Sequence, residues 1–194
     1  MVTYDYAMRA VKWILRGAAL LSMFLPAAAS AFGAWETGYA LFAQACAMVP
    51  GILGDYLRIA FYKLTLAECD LSSRVSFGSF FAHPQARLGA GVYIGCYCIL
   101  GKTVIGARTQ IASGVQILSG SRQHARNRSG EISGAEGGEF TVVEIGANCW
   151  IGAAAIVMAD VGAGSTVGAG SVVTRPIPPH SVAVGSPARV LPPA

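Results

Sequence analysis

Isoleucine, leucine or valine recurs at six-residue intervals through much of the second half of the chain. The positions form two blocks: Leu88, Ile94, Leu100, Ile105, Ile111 and Ile117, then Ile145, Ile151, Val157, Val161, Val167 and Val173. A helix repeats about every 3.6 residues and a strand about every two, so neither alone produces this period. A solenoid of short strands does, because each rung points one apolar residue inward before the chain turns. The pattern therefore predicts an all-β solenoid.

The solenoid is predicted to occupy residues 68–194 and to be interrupted once. Residues 72–118 and 144–173 follow the six-residue repeat. At three strands per triangular turn, they correspond to roughly four coils. Between them, residues 119–143 are polar and rich in glycine, which is typical of an ejected loop with a function. The proline-rich tail 174–194 is expected to leave the coil and pack back along its outside.

Residues 1–67 follow a different pattern, with long uncharged stretches and no six-residue repeat. Two uncharged runs flank Glu36, each close to the lower limit for a spanning helix of roughly 17–20 residues. A cleaved signal peptide would have such a start. We favour a retained helical hairpin that dips into or lies on a membrane, because a signal peptide needs no second apolar run. Residues 52–66 are predicted to be an amphipathic helix that places Arg58 and Lys63 at an anionic membrane surface, caps the open end of the solenoid, or does both.

Composition supports membrane contact and a reducing compartment. Only 12% of residues are charged and the mean hydropathy is +0.52. The net charge of +4 comes without a long basic run, so we predict no nucleic-acid partner. The five cysteines are odd in number and lack the spacing of metal ligands, which indicates free thiols and predicts no metal site.

His124 is the candidate catalytic residue. It lies at the start of the ejected loop, and a neutral imidazole can take a proton from a hydroxyl near neutral pH. For an arbitrary loop a solvated histidine would be the better interpretation, but this loop is the one interruption of a regular solenoid. His83, in the repeat region, and His180, in the tail, are interpreted as partly exposed structural residues.

The segment IGANCWIGAAAIVMADVGAGSTVGAGSVVTRPIPPHSVAVGSPARVL at 145–191 resembles the hexapeptide-repeat acyltransferases. The likeness covers about residues 70–191 and is nearest to the maltose and galactoside O-acetyltransferases and to the acetyltransferases of exopolysaccharide clusters. It implies a left-handed parallel β-helix, a homotrimer with active sites between neighbouring solenoids, and a histidine base at the position of His124.

The resemblance also implies where acetyl-CoA binds. The positions that match the family's cofactor contacts are Trp150, Ala153, Ala169, Thr174, Arg175 and Arg189. Arg175 and Arg189 would face the cofactor phosphates, and Trp150 is either a wall of the cleft or a packed structural residue. The sugar acetyltransferases have an acceptor-binding asparagine where this chain has CYCIL at 96–100, which disfavours the same free disaccharide as acceptor.

Together these features predict an acetyl-CoA-dependent O-acetyltransferase that acts without a metal on a sugar hydroxyl. The membrane element suggests a lipid-linked glycan or exopolysaccharide precursor as acceptor, at the cytoplasmic face of the inner membrane. Two alternatives stay open: an amine or amino-acid acceptor, and a structural solenoid that has no catalytic activity.

Overall fold

The computed structural model describes residues 2–120, 124, 126, 129–132 and 139–192, and of residues 2–9 it describes the backbone only. The chain begins with helices and ends with strands. The helical elements are α1 (Val2–Ala29), a short 3₁₀ turn (Ala31–Gly33), α2 (Glu36–Ala47) and α3 (Gly51–Thr65).

The strands are two or three residues long and form three sheets along the sides of a prism. Sheet 1 contains β1 (Glu68–Cys69), β4 (Arg87–Leu88), β7 (Thr103–Ile105) and β10 (Val143–Ile145). Sheet 2 contains β2 (Arg74–Val75), β5 (Tyr93–Ile94), β8 (Gln110–Ile111), β11 (Trp150–Ile151), β13 (Thr166–Val167), β15 (Val182–Val184) and β16 (Arg189–Val190). Sheet 3 contains β3 (Phe80–Phe81), β6 (Ile99–Leu100), β9 (Gln116–Ile117), β12 (Ile156–Val157) and β14 (Val172–Val173).

Consecutive strands move from sheet 1 to sheet 2 to sheet 3 and back, so the molecule is a parallel β-solenoid, as predicted. All twelve repeat residues named from the sequence are at most 2% exposed and stack inside the prism. The expected four coils were too few, because a first coil formed by β1, β2 and β3 precedes Leu88 and gives about five. Its inward residues are also six positions apart. They are Cys69, Val75 and Phe81, so a cysteine and a phenylalanine replace the usual aliphatic residue at two of the three positions.

The tail continues the coil for longer than its prolines suggested. Ile177 forms a bridge with Val161 in sheet 1, and β15 then pairs in parallel with β13 in sheet 2. Only after β15 does the chain reverse, when β16 pairs antiparallel with β15. The prolines are accommodated because they lie at corners between these pairings, where no ladder hydrogen bond is required of them.

Close stacking of the coils explains the glycines that follow the repeat residues. A Cβ at Gly152 would lie 2.4 Å from the backbone nitrogen of Ala169 in the next coil, closer than atoms can approach. Buried hydroxyls at the corners add contacts between coils: Thr109 Oγ1 donates to the Gly146 carbonyl at 2.7 Å and accepts the Cys149 N–H at 3.1 Å. The register of successive coils is therefore fixed at the corners as well as in the strands.

Aromatic side chains of α2 and α3 cover the open end of the first coil. The rings of Tyr39 and Phe61 stack with centroids 5.7 Å apart, and Tyr62 contacts Phe81 edge to face at 5.1 Å. The Tyr62 hydroxyl accepts the Phe81 N–H at 3.3 Å, and burial raises the Tyr62 pKa. Capping, one of the two roles considered for residues 52–66, is thus observed.

Arg58 was expected at a membrane surface, and that expectation is wrong because the side chain is fully buried. Its Nε donates to the Val75 carbonyl at 2.8 Å, and its Nη1 donates to the carbonyls of Cys46 and Val49 at 3.0 and 2.7 Å. Its Nη2 lies 2.7 Å from Asp55 Oδ1, and the other oxygen of Asp55 accepts a hydrogen bond from Arg74 Nε, also at 2.7 Å. One guanidinium therefore ties α2, α3 and the first coil together.

α1 lies across the end of the solenoid with most of its surface uncovered. Its Lys12 and Arg16 line a cavity with residues 71–74 of the first coil, while Gly33, just after the helix, lies against Pro84 at another corner of that coil. In the described chain, Ala10–Ala29 has the length and mean hydropathy, 1.3, of a membrane-crossing helix, and 11% of that window is buried. These properties are also found in signal sequences, so length and composition alone do not assign a span.

Replacing the Arg58 guanidinium should cost more stability than any surface arginine. We predict that Arg58→Met lowers the free energy of unfolding by about 3–5 kcal/mol, because Asp55 and four carbonyls, including that of Ala47, lose a buried partner. The matched variant Arg87→Met removes an exposed arginine that lies 3.4 Å from Glu68 and should cost at most about 1 kcal/mol. Urea unfolding of both variants measures the difference, and equal losses would show that Arg58 does not join the two parts of the chain.

Candidate functional site

The predicted loop leaves the solenoid at the corner between sheet 3 and sheet 1, after β9 of the third coil. Its two ends are held together at the base. The Thr141 N–H donates to the Ser119 carbonyl at 3.0 Å, and the Val143 N–H donates to the Lys102 carbonyl at 3.0 Å. The interruption is therefore local, and β10 resumes sheet 1 directly on β7. We call this edge of the prism the loop corner.

His124 lies in this loop and its side chain is exposed. Near it, Arg126 and Ile132 form an antiparallel bridge, and Arg126 Nη1 donates to the Gly130 carbonyl at 2.6 Å. An exposed imidazole can form a hydrogen bond directly with a substrate hydroxyl, as a general base must.

Thr174 and Arg175 lie at the same loop corner, two coils beyond the loop base. The corner follows β9 in the third coil, β12 in the fourth and β14 in the fifth, and Thr174 comes directly after β14. At a spacing of about 4.8 Å per coil, the two residues lie about 10 Å along the prism from the loop base. Both side chains are exposed, so they are free to contact a ligand that runs along this edge.

The remaining cofactor candidates lie across sheet 3, at or near its other edge. Ala153 and Ala169 stack in successive coils at the corner between sheets 2 and 3, where the Gly170 N–H donates to the Ala153 carbonyl at 2.8 Å. Arg189 pairs with Val184 in sheet 2, and Trp150 points outward from sheet 2 with 59% of its surface exposed. Trp150 is therefore not a packed structural residue within one chain.

One chain thus separates the predicted cofactor residues: Thr174 and Arg175 lie at the loop corner, whereas the others lie on sheet 2 or at the corner between sheets 2 and 3. Four of the cavities in the described part of the chain have volumes of about 330–420 Å³, and none of these four is lined by a predicted site residue. The exposed residues Tyr97 and Ile99 lie in the second coil, Tyr97 at the corner between sheets 2 and 3 and Ile99 on sheet 3, with 64% and 42% of their surfaces uncovered. A second surface placed against sheet 3 would be needed to enclose a ligand there.

The sequence did not reveal how the loop is held at its base. The Phe140 ring packs edge to face on His83 with centroids 6.1 Å apart, and Lys102 Nζ lies 5.7 Å from the same ring. Burial and, secondarily, the charge of Lys102 lower the pKa of His83, which favours the neutral ring. His83 is half-buried at a corner, as expected, but its contact with the loop joins residues 57 positions apart, which no local pattern could indicate.

The cysteines and acidic residues do not form a metal site in the part of the chain that the structure covers. No group of three or more histidine, cysteine, aspartate or glutamate side chains there could hold an ion. All five cysteines are free thiols, and burial raises the pKa of four of them, Cys46, Cys69, Cys98 and Cys149. These four are inert core residues, since nucleophilic cysteines need a lowered pKa.

Sequence comparisons connect the repeat region to acetyltransferases. Residues 142–175 match the hexapeptide repeat of succinyl-transferase. A protein of Staphylococcus aureus strain COL, provisionally named an acetyltransferase, is 43% identical over 70 residues, which are 35% of this chain and 32% of that protein. Serine acetyltransferase 4 of Arabidopsis thaliana is 34% identical over 155 residues, which are 72% of this chain and 39% of that protein. The chain spans about a third of the length of these relatives.

Solved structures show the same fold. A maltose O-acetyltransferase from Clostridium difficile 630 superimposes with a TM-score of 0.66 at 24% identity, over 81% of this chain and 87% of that one. A hexapeptide-repeat acetyltransferase from Vibrio cholerae gives 0.55 at 20% identity, over 84% of this chain and 90% of that one. The resemblance to hexapeptide-repeat acetyltransferases is thereby confirmed in the repeat sequence and in the fold.

Phe140 should control how firmly the loop is held. We predict that Phe140→Ala accelerates tryptic cleavage at the loop arginines several-fold, because the ring contacts with His83 and Lys102 are lost. Phe77→Ala is the matched control, since Phe77 makes a similar edge-to-face contact with Tyr97, 5.5 Å away, at a different corner. Unchanged cleavage in Phe140→Ala, or equal acceleration in both variants, would rule out Phe140 as the anchor of the loop.

Proposed function

We propose that this hexapeptide-repeat chain transfers an acetyl group from acetyl-CoA to a hydroxyl group of a sugar. The observation that carries the proposal is the position of His124. It lies on a loop ejected at the same corner as Thr174 and Arg175, in a solenoid whose other coils stack without interruption. A purely structural solenoid has no need for such a loop, and the repeat sequence is related to acetyltransferases.

In the proposed reaction His124 acts as the general base. Its unprotonated ring nitrogen takes the proton of the acceptor hydroxyl as the oxygen attacks the thioester carbonyl carbon. Backbone N–H groups stabilise the negative charge on the carbonyl oxygen of the tetrahedral intermediate. The carbon–sulfur bond then breaks, the imidazolium returns its proton to the departing thiolate, and the products are the acetyl ester and free coenzyme A.

Acetyl-CoA would bind along sheet 3, between two copies of the chain in a homotrimer. Ala153 and Ala169 leave the backbone accessible at one edge of the sheet, whereas Arg175 supplies a cation at the other edge. Guanidinium groups suit phosphates because they donate two parallel hydrogen bonds. The division of the site between two edges, and the exposed Tyr97 and Ile99, support an assembly in which a neighbouring chain completes the cleft.

The enzyme would work at the cytoplasmic face of the inner membrane, where acetyl-CoA is available. The helices α1, α2 and α3 expose large apolar side chains, among them Trp13, Ile14, Leu21, Leu25, Leu41 and Ile52, each at least 64% uncovered. Because α1 crosses the end of the solenoid, this surface would rest on the membrane with the first coil above it. A lipid-linked glycan or exopolysaccharide precursor is the acceptor that this placement favours.

A second acceptor class is an amino acid, which the likeness to the Arabidopsis serine acetyltransferase favours. Release of free thiol from acetyl-CoA distinguishes the candidates when lipid-linked glycans, free sugars, serine and amines are supplied in turn. A glycan-dependent rate supports the proposal, and a serine- or amine-dependent rate replaces its acceptor. Absence of thiol release with every acceptor would leave a structural solenoid.

The first test concerns the base. We predict that His124→Ala lowers the turnover rate by about 10²- to 10⁴-fold while the fold persists, because a loop residue packs little and a general base contributes this much. His180→Ala is the matched control, since His180 is also exposed but belongs to the tail. Turnover near the wild-type rate in His124→Ala would remove this residue from the mechanism.

The second test concerns the cofactor. Arg175→Ala and Arg189→Ala should each weaken acetyl-CoA binding by about 10- to 100-fold, since each loses a charge-assisted hydrogen bond of about 1.5–3 kcal/mol. The acceptor KM should hardly change. Arg108→Ala removes an exposed arginine elsewhere and should bind the cofactor normally. Calorimetry that finds unchanged affinity in both test variants would contradict the assignment of the phosphate site.

A further inference from the structure

Two cavities between α1 and α3 adjoin, and their linings differ in chemistry. The apolar cavity, of about 400 Å³, is lined by Leu15, Ala18, Ala19, Ser22, Leu53 and Leu57. The basic cavity, of about 330 Å³, is lined by Lys12, Arg16, Leu71, Ser72, Ser73 and Arg74. Ile52 and Tyr56 line both cavities, so they form one continuous space, which we call the α1–α3 groove.

The described lining of the apolar half is mostly hydrocarbon. Two side chains there carry hydroxyls: the Oγ of Ser22 already donates to the Ala19 carbonyl at 2.8 Å, and Tyr56 lies where the apolar half meets the basic half. Ala18 and Ala19 are small, which leaves room beside α1, and Ile52 and Leu53 are 71% and 63% exposed at its edge. Such a surface is covered by apolar material, because water gains no hydrogen bond there.

The basic half has an excess of positive charge. Lys12, Arg16 and Arg74 face it, and the carboxylate of Asp55 opposes them. Both oxygens of Asp55 are already occupied, one by the buried Arg58 and the other by Arg74 Nε. The next carboxylate, Asp70, accepts hydrogen bonds from the hydroxyl and the N–H of Ser72. Among the side chains that the structure describes around the groove, the three cations therefore carry more positive charge than the carboxylates neutralise.

We propose that the α1–α3 groove binds one anionic phospholipid, with an acyl chain in the apolar half and the headgroup phosphate at Lys12 and Arg16. Arg74, whose side chain is 59% exposed, completes the headgroup site from the first coil. The lipid would join α1 to the solenoid, so the protein would select anionic membrane regions. The inference rests on the proposed membrane attachment and is independent of acetyl transfer.

Vesicle binding by the full chain tests the headgroup site. Vesicles of phosphatidylcholine with and without phosphatidylglycerol are compared for the wild type, for Lys12→Gln/Arg16→Gln and for the control Arg87→Gln/Arg108→Gln. The control pair also removes two exposed positive charges, but from the solenoid and outside the groove. We expect the groove pair to lose about 30-fold in affinity for the anionic vesicles and the control pair less than about threefold. Equal losses would mean general surface attraction and would overturn the proposal.

Lipid retention tests the apolar half. Mass spectrometry of the protein released gently from phosphatidylglycerol vesicles should find one lipid per chain that inorganic phosphate does not displace. Ala18→Phe fills the groove and should abolish retention, whereas Ala28→Phe, an exposed position on α1 outside the groove, should not. Retention in Ala18→Phe, or displacement by phosphate, would contradict the proposal. A wild type that binds no vesicle at all would instead overturn the membrane attachment itself.

Discussion

The buried guanidinium of Arg58 is the contact on which the joining of the two parts of the molecule depends. A β-solenoid has an open end, where backbone groups and core side chains of the first coil would face water. Here α3 covers that end, and Arg58 satisfies carbonyls of Cys46, Val49 and Val75 while pairing with Asp55. The close approach needs a glycine, because a Cβ at Gly54 would lie 2.7 Å from Arg58 Nη1 and 1.9 Å from the Val49 carbonyl oxygen. A buried cation without these partners would cost several kcal/mol, so Arg58 stabilises the packing of the helices on the first coil.

The same constraint relates the N-terminal helices to the candidate active site. Because α1 lies across the capped end, the coils rise from it in fixed steps of about 4.8 Å, and the loop that holds His124 leaves in the third coil. The loop therefore lies about 10 Å from the first coil along the axis of the solenoid. Phe140, held between His83 and Lys102, links the base of that loop to the lower coils. The proposed acceptor and its lipid would approach from the helical end, whereas acetyl-CoA would approach along sheet 3.

The sequence predicted those parts of the structure that depend on local repetition. The six-residue repeat identified the inward residues from Leu88 to Val173, and the interruption of the repeat identified the loop. The predicted solenoid included the first coil, but its inward residues were not identified, because Cys69 and Phe81 are not typical repeat residues and no glycine follows them. Arg58 was misplaced because an arginine on an amphipathic helix usually faces solvent, and only tertiary packing brings the carbonyls of Cys46, Val49 and Val75 to it.

The contact of Phe140 with His83 depends likewise on which coils are neighbours. The two groups of cofactor residues could be named from motifs, but their separation by sheet 3 follows from the fold.

The central claim is that sheet 3 and the loop corner together form a coenzyme A site. A crystal or electron cryomicroscopy structure of the full chain with bound coenzyme A tests it most directly. The account predicts that the cofactor lies against sheet 3, with its phosphates in contact with Arg175 or Arg189 and its sulfur turned towards the loop that carries His124. A cofactor bound elsewhere, or with its sulfur directed away from that loop, would contradict the account.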